Sequence, residues 1–332
     1  MNILLTGGLG YIGSHIAISL IKNGDSIVLL DNLSNSNVKV LDRINKITGK
    51  TIQFVRCDIC DTSELETILR NYKIDSVIHL AALKSTNESC LNPLNYYKNN
   101  IQGSISLLKA MELCGIKNLV FSSSATVYGE PIYLPIDEDH PINPINPYGK
   151  SKAYVEQIMK DITLSNSEWS IISLRYFNPV GADSSGLIGE DLTENSKNLM
   201  PMITQVAMKK KSELTIFGSD YQTPDGTGKR DYIHVMDLSD GHLAALNYLK
   251  KMKGFEVINL GTGISYSVKE IVNTFSIVSG VKIPYKYSAK REGDVPVCYA
   301  SVSKAKKILN WESKRTLQQM CESSWIWANF NF

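Results

Sequence analysis

Three features of this 332-residue chain predict a doubly wound parallel α/β fold: a glycine turn between a short apolar run and a helix, apolar runs alternating with helical spacing, and an acid closing the second run. The first run, Ile3-Leu4-Leu5, stops at Thr6-Gly7-Gly8-Leu9-Gly10-Tyr11-Ile12-Gly13, after which Ile16, Leu20 and Ile21 follow at helical spacing. Gly7, Gly10 and Gly13 there allow a tight turn, a close backbone approach and close helix packing, with the helix N-terminus facing a pyrophosphate. Ile27-Val28-Leu29-Leu30 reads as the second strand and ends in Asp31, where a carboxylate binds an adenosine ribose. An acid there repels a 2′-phosphate, and no Lys or Arg follows before Lys39, so NAD is favoured over NADP.

The alternation continues with strands at 51–55, 76–80 and 118–121 and helices around 65–69 and over 94–113. Ligands bind such sheets beyond the carboxyl ends of the strands. Asp58-Ile59 after one strand end therefore suits the flank of an adenine, and Ala81-Ala82-Leu83-Lys84 after another offers small residues where a cofactor passes. Asn99 falls inside a helical pattern, where a polar side chain is either solvated or aimed at a ligand. A further strand is read at 171–174, and residues 1–175 form the dinucleotide-binding unit. Beyond it the pattern loosens into a loop-rich substrate domain, residues 176–332, from which the segment 234–260 is expected to return to the first domain.

Length favours two domains or one large unit with an annex. The composition is that of an ordinary globular enzyme, with 43% hydrophobic and 20% charged residues, and 35 basic against 33 acidic side chains for a formal charge of +2. It carries neither the basic footprint of a nucleic-acid binder nor an apolar run approaching the ~20 residues of a membrane span. Met1-Asn2 runs straight into the first strand, leaving no room for a secretory signal, so a cytoplasmic location is expected. The six cysteines, Cys57, Cys60, Cys90, Cys114, Cys298 and Cys321, are scattered, which suits free thiols. Cys57-Asp58-Ile59-Cys60 has no second pair, and the histidines lack ligand spacing, so no metal is expected.

The chemistry is read from Asn146-Pro147-Tyr148-Gly149-Lys150-Ser151-Lys152, which puts a phenol and an ammonium one helical turn apart at a helix entry. A free phenol titrates near pH 10, so a base at neutral pH needs a drop of roughly three units, or ~4 kcal/mol. A neighbouring cation supplies part of that, and a cationic nicotinamide can supply more. Upstream, Ser122-Ser123-Ser124-Ala125-Thr126-Val127-Tyr128-Gly129 closes a strand with hydroxyls on the same edge, one of which can hold a substrate alcohol beside Tyr148. Arg230 and Arg291 are planar donors suited to a diphosphate.

Together the glycine turn, Asp31, Ser124-Ala125-Thr126 and Tyr148-x-x-x-Lys152 resemble an extended short-chain dehydrogenase, and more narrowly the UDP-glucose (UDP-galactose) 4-epimerase family. The resemblance runs through the whole chain, including residues 174–182, 226–237 and Arg291-Glu292-Gly293-Asp294. It implies a Rossmann-type domain, a smaller C-terminal α/β substrate domain, and a homodimer formed through the helices at 94–113 and 150–162. It also implies that Tyr148 takes the proton of the sugar 4-hydroxyl while C4 passes a hydride to tightly held NAD, and that the 4-keto sugar turns over before the hydride returns. Ser124 and Thr126 would bind the hydroxyl, with Ala125 between them, and Lys152 would hold the nicotinamide ribose. On the cofactor side the resemblance adds Tyr11, Ile12, Asn32, Ser34, Asn35, Ser36, Asp58, Ile59, Leu80, Ala81, Ala82, Lys84, Asn99 and Phe177. On the substrate side it adds Asn178, Asn198, Leu199, Thr215, Ile216, Phe217, Arg230, Arg291, Asp294 and Cys298.

Cys298 stands where the family lines the sugar pocket opposite the 2-substituent; a Tyr there goes with glucose-type sugars, whereas a Cys leaves room for an N-acetyl group. UDP-GlcNAc and UDP-GalNAc are therefore expected as substrates besides UDP-glucose and UDP-galactose. Two rivals share the fold. A nucleotide-sugar 4,6-dehydratase needs an Asp-Glu pair after the strand-end Thr, where this chain has Val127-Tyr128. A non-catalytic NAD sensor typically loses the Tyr or Lys kept here.

Overall fold

The computed structural model describes residues 1–192, 198–291 and 293–332, so Glu292 of the Arg291–Asp294 stretch lies outside the described residues. The chain begins with β1 (Asn2–Thr6), α1 (Tyr11–Lys22), β2 (Ser26–Asp31), α2 (Lys39–Thr48), β3 (Gln53–Arg56), α3 (Thr62–Asn71) and β4 (Ser76–His79). Next come α4 (Thr86–Leu91), α5 (Pro93–Tyr97), a π-helical turn at Lys98–Gln102, α6 (Gly103–Leu113) and β5 (Asn118–Ser124). Then follow α7 (Pro147–Ser165), β6 (Ser170–Tyr176), β7 (Asn178–Val180), α8 (Leu199–Ala207), β8 (Leu214–Phe217), β9 (Lys229–His234), α9 (Val235–Leu249) and β10 (Gly254–Leu260). The chain closes with β11 (Ser265–Ser267), α10 (Val268–Ser279), β12 (Tyr285–Ser288), β13 (Val297–Cys298), α11 (Ser303–Leu309) and α12 (Leu317–Asn331).

Seven strands form one parallel sheet in the order β10-β6-β5-β4-β1-β2-β3, the doubly wound fold that the sequence predicts. Its strands are apolar on both faces because both are covered. Ile3 and Leu5 of β1 point into a core with α1 and α9, while Leu4 between them points into a second core with α3, α6 and α7. The strand order reverses between β1 and β4, which opens a crevice at their carboxyl ends.

β7, β9, β11 and β13 make a second, smaller sheet, and β8 pairs with β12. The region expected to be loop-rich also contains α8, α10 and α12, whose Met200, Ile203, Phe275 and Met320 share a third core. Each of these segments is short and buries its apolar face only against another short segment, so its own periodicity is weak. The expected helix over 94–113 is instead α5 and α6 joined by the π-turn, with Pro93 starting α5. Among the described residues no helix is long and apolar enough to cross a membrane.

Candidate active site

Construction of the cleft starts at the glycine turn. Gly7 has φ +68°, and a Cβ on it would come 2.8 Å from the Ala81 nitrogen; one on Gly13 would come 2.2 Å from the Gly7 carbonyl oxygen. Only bare backbone lets α1 sit this close to the turn. No side chain caps α1, whose N-cap is Gly10, so its first amides are directed at the cleft. Asp31 is buried and holds the turn, accepting from the Leu9 amide at 3.2 Å, the Leu33 amide at 2.9 Å and the Ser36 hydroxyl at 2.7 Å. Asn32 donates to Asp58 at 3.1 Å and accepts from the Ser34 amide.

A cavity of about 660 Å³ beyond β3 is lined by Asp58, Asn95, Lys98 and Asn99 among others. Asn99 faces it from the π-turn, a distortion that re-aims side chains at functional sites. The Ile59 side chain is buried under Gly103 and packs into the core, which leaves its backbone on the cavity side of the strand end. These features fit an NAD molecule: an uncapped helix N-terminus for the pyrophosphate, Asp31 beside the turn for the ribose, and the Asp58–Asn99 cavity for the base. The Leu80–Ala82 segment is pinned to the turn, the Leu80 amide donating to the Thr6 carbonyl and the Ala81 amide to the Thr6 hydroxyl at 3.3 Å.

Opposite, α7 begins with Asn146 as N-cap, its side chain accepting from the Gly149 amide at 2.8 Å, and Pro147 in the first turn. This entry sets Tyr148 and Lys152 on one helical face. The Lys152 ammonium donates to the Ser122 carbonyl at 2.7 Å and lies 4.8 Å from the Phe121 ring centroid, and burial lowers its pKa to about 7. Burial raises the Tyr148 phenol, while a hydrogen bond with Ser124 pulls it down. Thr126 donates its hydroxyl to Ser124 at 2.9 Å and its amide at 3.2 Å, so the strand-end hydroxyls form one array beside the phenol. The drop in the Tyr148 pKa expected from Lys152 is not present in the protein alone. Lys152 is itself desolvated and loses its charge near neutrality.

Two residues that the sequence reading missed tie these parts together. The buried Asn100 accepts from the Leu83 amide at 2.9 Å, donates to the Leu83 carbonyl at 3.0 Å and donates to Ser151 at 3.0 Å; Ser151 in turn donates to the Tyr148 carbonyl at 2.7 Å. Glu190 pairs with Lys84 at 3.6 Å and accepts from Asn198 at 2.6 Å, linking the cofactor side to the start of α8, where Leu199 follows. Neither residue lies in a motif.

On the substrate side, Cys298 is paired with Arg230 across β13 and β9, and Asn178 with Tyr232 across β7 and β9. Arg230 donates to Asp294 at 3.2 Å and to the Val295 carbonyl at 2.8 Å. Arg291 stacks 3.9 Å from the Phe217 ring centroid at the end of β8, the strand that carries Thr215 and Ile216. Cys298 packs with Ala125 against a small core that includes Phe177, next to the strand-end hydroxyls, and burial pushes its thiol up to about 11. All six cysteines are free.

A parallel dinucleotide-type sheet carrying a Tyr/Lys/Ser array at its carboxyl edge defines the short-chain dehydrogenase class of dinucleotide-dependent enzyme. The model of the GDP-mannose 4,6 dehydratase family matches residues 4–324. The UDP-glucose 4-epimerase of Bacillus subtilis (strain 168) is 49% identical over 331 residues, covering 100% of this chain and 98% of that protein. The structure of the Stenotrophomonas maltophila UDP-glucose-4-epimerase, with bound NAD and formylated UDP-arabinopyranose, superposes with a TM-score of 0.98 at 44% identity, covering 99% of this chain and 98% of that one. That of the Bifidobacterium longum enzyme, in complex with NAD⁺ and UDP, gives 0.96 at 43% identity, covering 100% and 99%. The chain belongs to the UDP-glucose 4-epimerase family.

Proposed function

We propose that this protein is an NAD-dependent UDP-hexose 4-epimerase that interconverts UDP-glucose and UDP-galactose. The observation that carries the reading is Tyr148 hydrogen-bonded to Ser124 and one helical turn from a buried Lys152, beside a glycine turn that fits NAD. NAD, when bound, accepts the hydride of the sugar C4 and returns it. Ser124 and Thr126 hold the 4-hydroxyl against Tyr148, which takes its proton as the alcohol is oxidised and gives it back on reduction. Lys152, when protonated, favours the phenolate. Arg230, Arg291 and Asp294 grip the diphosphate and ribose, so the keto sugar turns about a fixed anchor and presents its other face. Incubating purified protein with UDP-galactose and resolving products by NMR tests this; unchanged substrate in NAD-loaded protein overturns it.

The reading extends to UDP-GlcNAc and UDP-GalNAc. Cys298, small and packed against the same core as Ala125, supports it, and UDP-GalNAc is the discriminating substrate. We also infer a homodimer. Leu94 of α5 and Tyr154 of α7 are 81% and 52% exposed, and Leu91 at the end of α4 and Leu164 of α7 are exposed as well, leaving large apolar side chains uncovered on these helices. Sedimentation at micromolar concentration checks it, a monomer overturning the reading.

A further inference from the structure

Lys152 must be charged to favour a phenolate, yet it sits in a dry site. The groups that touch or act on it are Glu156 from α7, the buried and neutral His79 from β4, and the Phe121 ring and Ser122 carbonyl from β5; Arg175 of β6 stands behind Glu156. Among the described residues Glu156 is the one carboxylate that acts on it. Tyr148, Lys152 and Glu156 follow one another at successive turns and so share a helical face.

Glu156 is 5% exposed and is gripped by Arg175, whose Nε lies 3.0 Å and 3.2 Å from its two oxygens and whose Nη2 lies 2.6 Å from Oε2; the Ser173 hydroxyl adds a donor at 2.8 Å. The remaining end of the guanidinium donates to the Tyr128 hydroxyl at 3.0 Å and lies over the Tyr128 ring at 4.8 Å. Tyr128 in turn donates to Asn259 of β10 at 2.6 Å. One buried ion pair thus joins the catalytic helix, the end of the Ser124–Thr126 motif and the edge strand of the sheet. Replacing such a pair by apolar groups often leaves a fold equally stable, so stability alone is a weak reason for charges here.

We propose that Glu156 and Arg175 form an electrostatic positioning pair for Tyr148 and Lys152: Glu156 raises the share of Lys152 that is protonated, and Arg175 limits the negative potential that reaches the phenol. The proposal takes the role of Tyr148 from the epimerase reading. Its test sets opposed substitutions against each other in the NAD-loaded full chain. Lys152 is titrated by NMR of ¹³C-lysine-labelled protein, assigned with Lys152→Met, and the alkaline limb of kcat/KM for UDP-galactose is measured in parallel.

Glu156→Gln keeps the shape and one acceptor oxygen for Arg175, loses the acceptor at the second oxygen and leaves a lone cation, so the Lys152 titration and the alkaline limb should both fall by about half a pH unit or more. Arg175→Met leaves a lone anion, and both should rise by a similar amount. The neutral double variant should return close to wild type, and Arg175→Lys should keep the wild-type titration while turnover drops. Single variants that shift in the same direction, or a Lys152 titration that stays put in folded variants, would show a merely structural pair and overturn the proposal. Should one single variant fail to fold, the other must still move in its stated direction and the double must not. Wild-type protein that leaves UDP-galactose unchanged sinks the epimerase reading, while the NMR titrations still decide this one.

Discussion

At the scale of single residues, Tyr148 is legible in the sequence because its partners are local: Pro147 starts the helix and Lys152 follows one turn later. Tyr148→Phe removes the hydroxyl and keeps the ring, so epimerisation should drop by about 10²–10⁴-fold while bound NAD is retained. Turnover and the absorbance of the released dinucleotide check both halves. Cys298 is legible only through the family resemblance; its packing against the core of Val127, Phe177 and Ala300 comes from segments distant in sequence brought together by folding. Cys298→Tyr should lower kcat/KM for UDP-GalNAc about 10- to 100-fold more than for UDP-galactose, the size of an overpacking penalty turned into selectivity. Parallel assays on the two sugars read it, and equal losses would count against the pocket assignment. Asn100 and Glu190 left no signal, since an Asn beside another Asn and a lone Glu acquire meaning only from the groups they meet.

At the scale of elements, the glycine turn, β2 and α7 were readable because each is specified by its own residues. Gly13 shows how tightly the turn is built. Gly13→Ala puts a methyl against the Gly7 carbonyl oxygen, a backbone atom that cannot swing aside. Dinucleotide binding should weaken about 10- to 100-fold, measured by calorimetry on stripped protein, with the sheet intact by circular dichroism. The π-turn at Lys98–Gln102 was not readable, because one extra residue per turn barely disturbs an apolar pattern while it re-aims Asn99. The helices beyond residue 175 escaped for a related reason: α8, α10 and α12 find their buried faces against one another rather than along one amphipathic stripe.

At the scale of the whole molecule, burial lowers His15 and His242 to about 4 and His79 and His234 to about 3, so these four are neutral. A free histidine titrates near 6.5, so between that value and the folded ones the unfolded chain binds more protons. Their contribution is therefore fully present above ~6.5 and drains as pH falls toward 4 and then 3, with a slope approaching ~1.4 kcal/mol per pH unit for each group. Urea midpoints across pH 7 to 4 should fall accordingly. His79→Gln should flatten part of that slope, and an unchanged pH dependence would remove His79 from the account.

The sequence by itself determined the doubly wound sheet, the glycine turn, Asp31, the strand-end hydroxyls and the Tyr148/Lys152 pair. Each is a local pattern in which neighbouring residues carry both the backbone conformation and the chemistry. Tertiary structure alone decided the charge environment of that pair. Lys152 and Tyr148 are desolvated by burial, His79 is held neutral by burial, and Glu156 on α7 is clamped by an arginine on β6. Burial and electrostatic coupling depend on which surfaces meet, and that information is spread over the whole chain rather than held in any one segment.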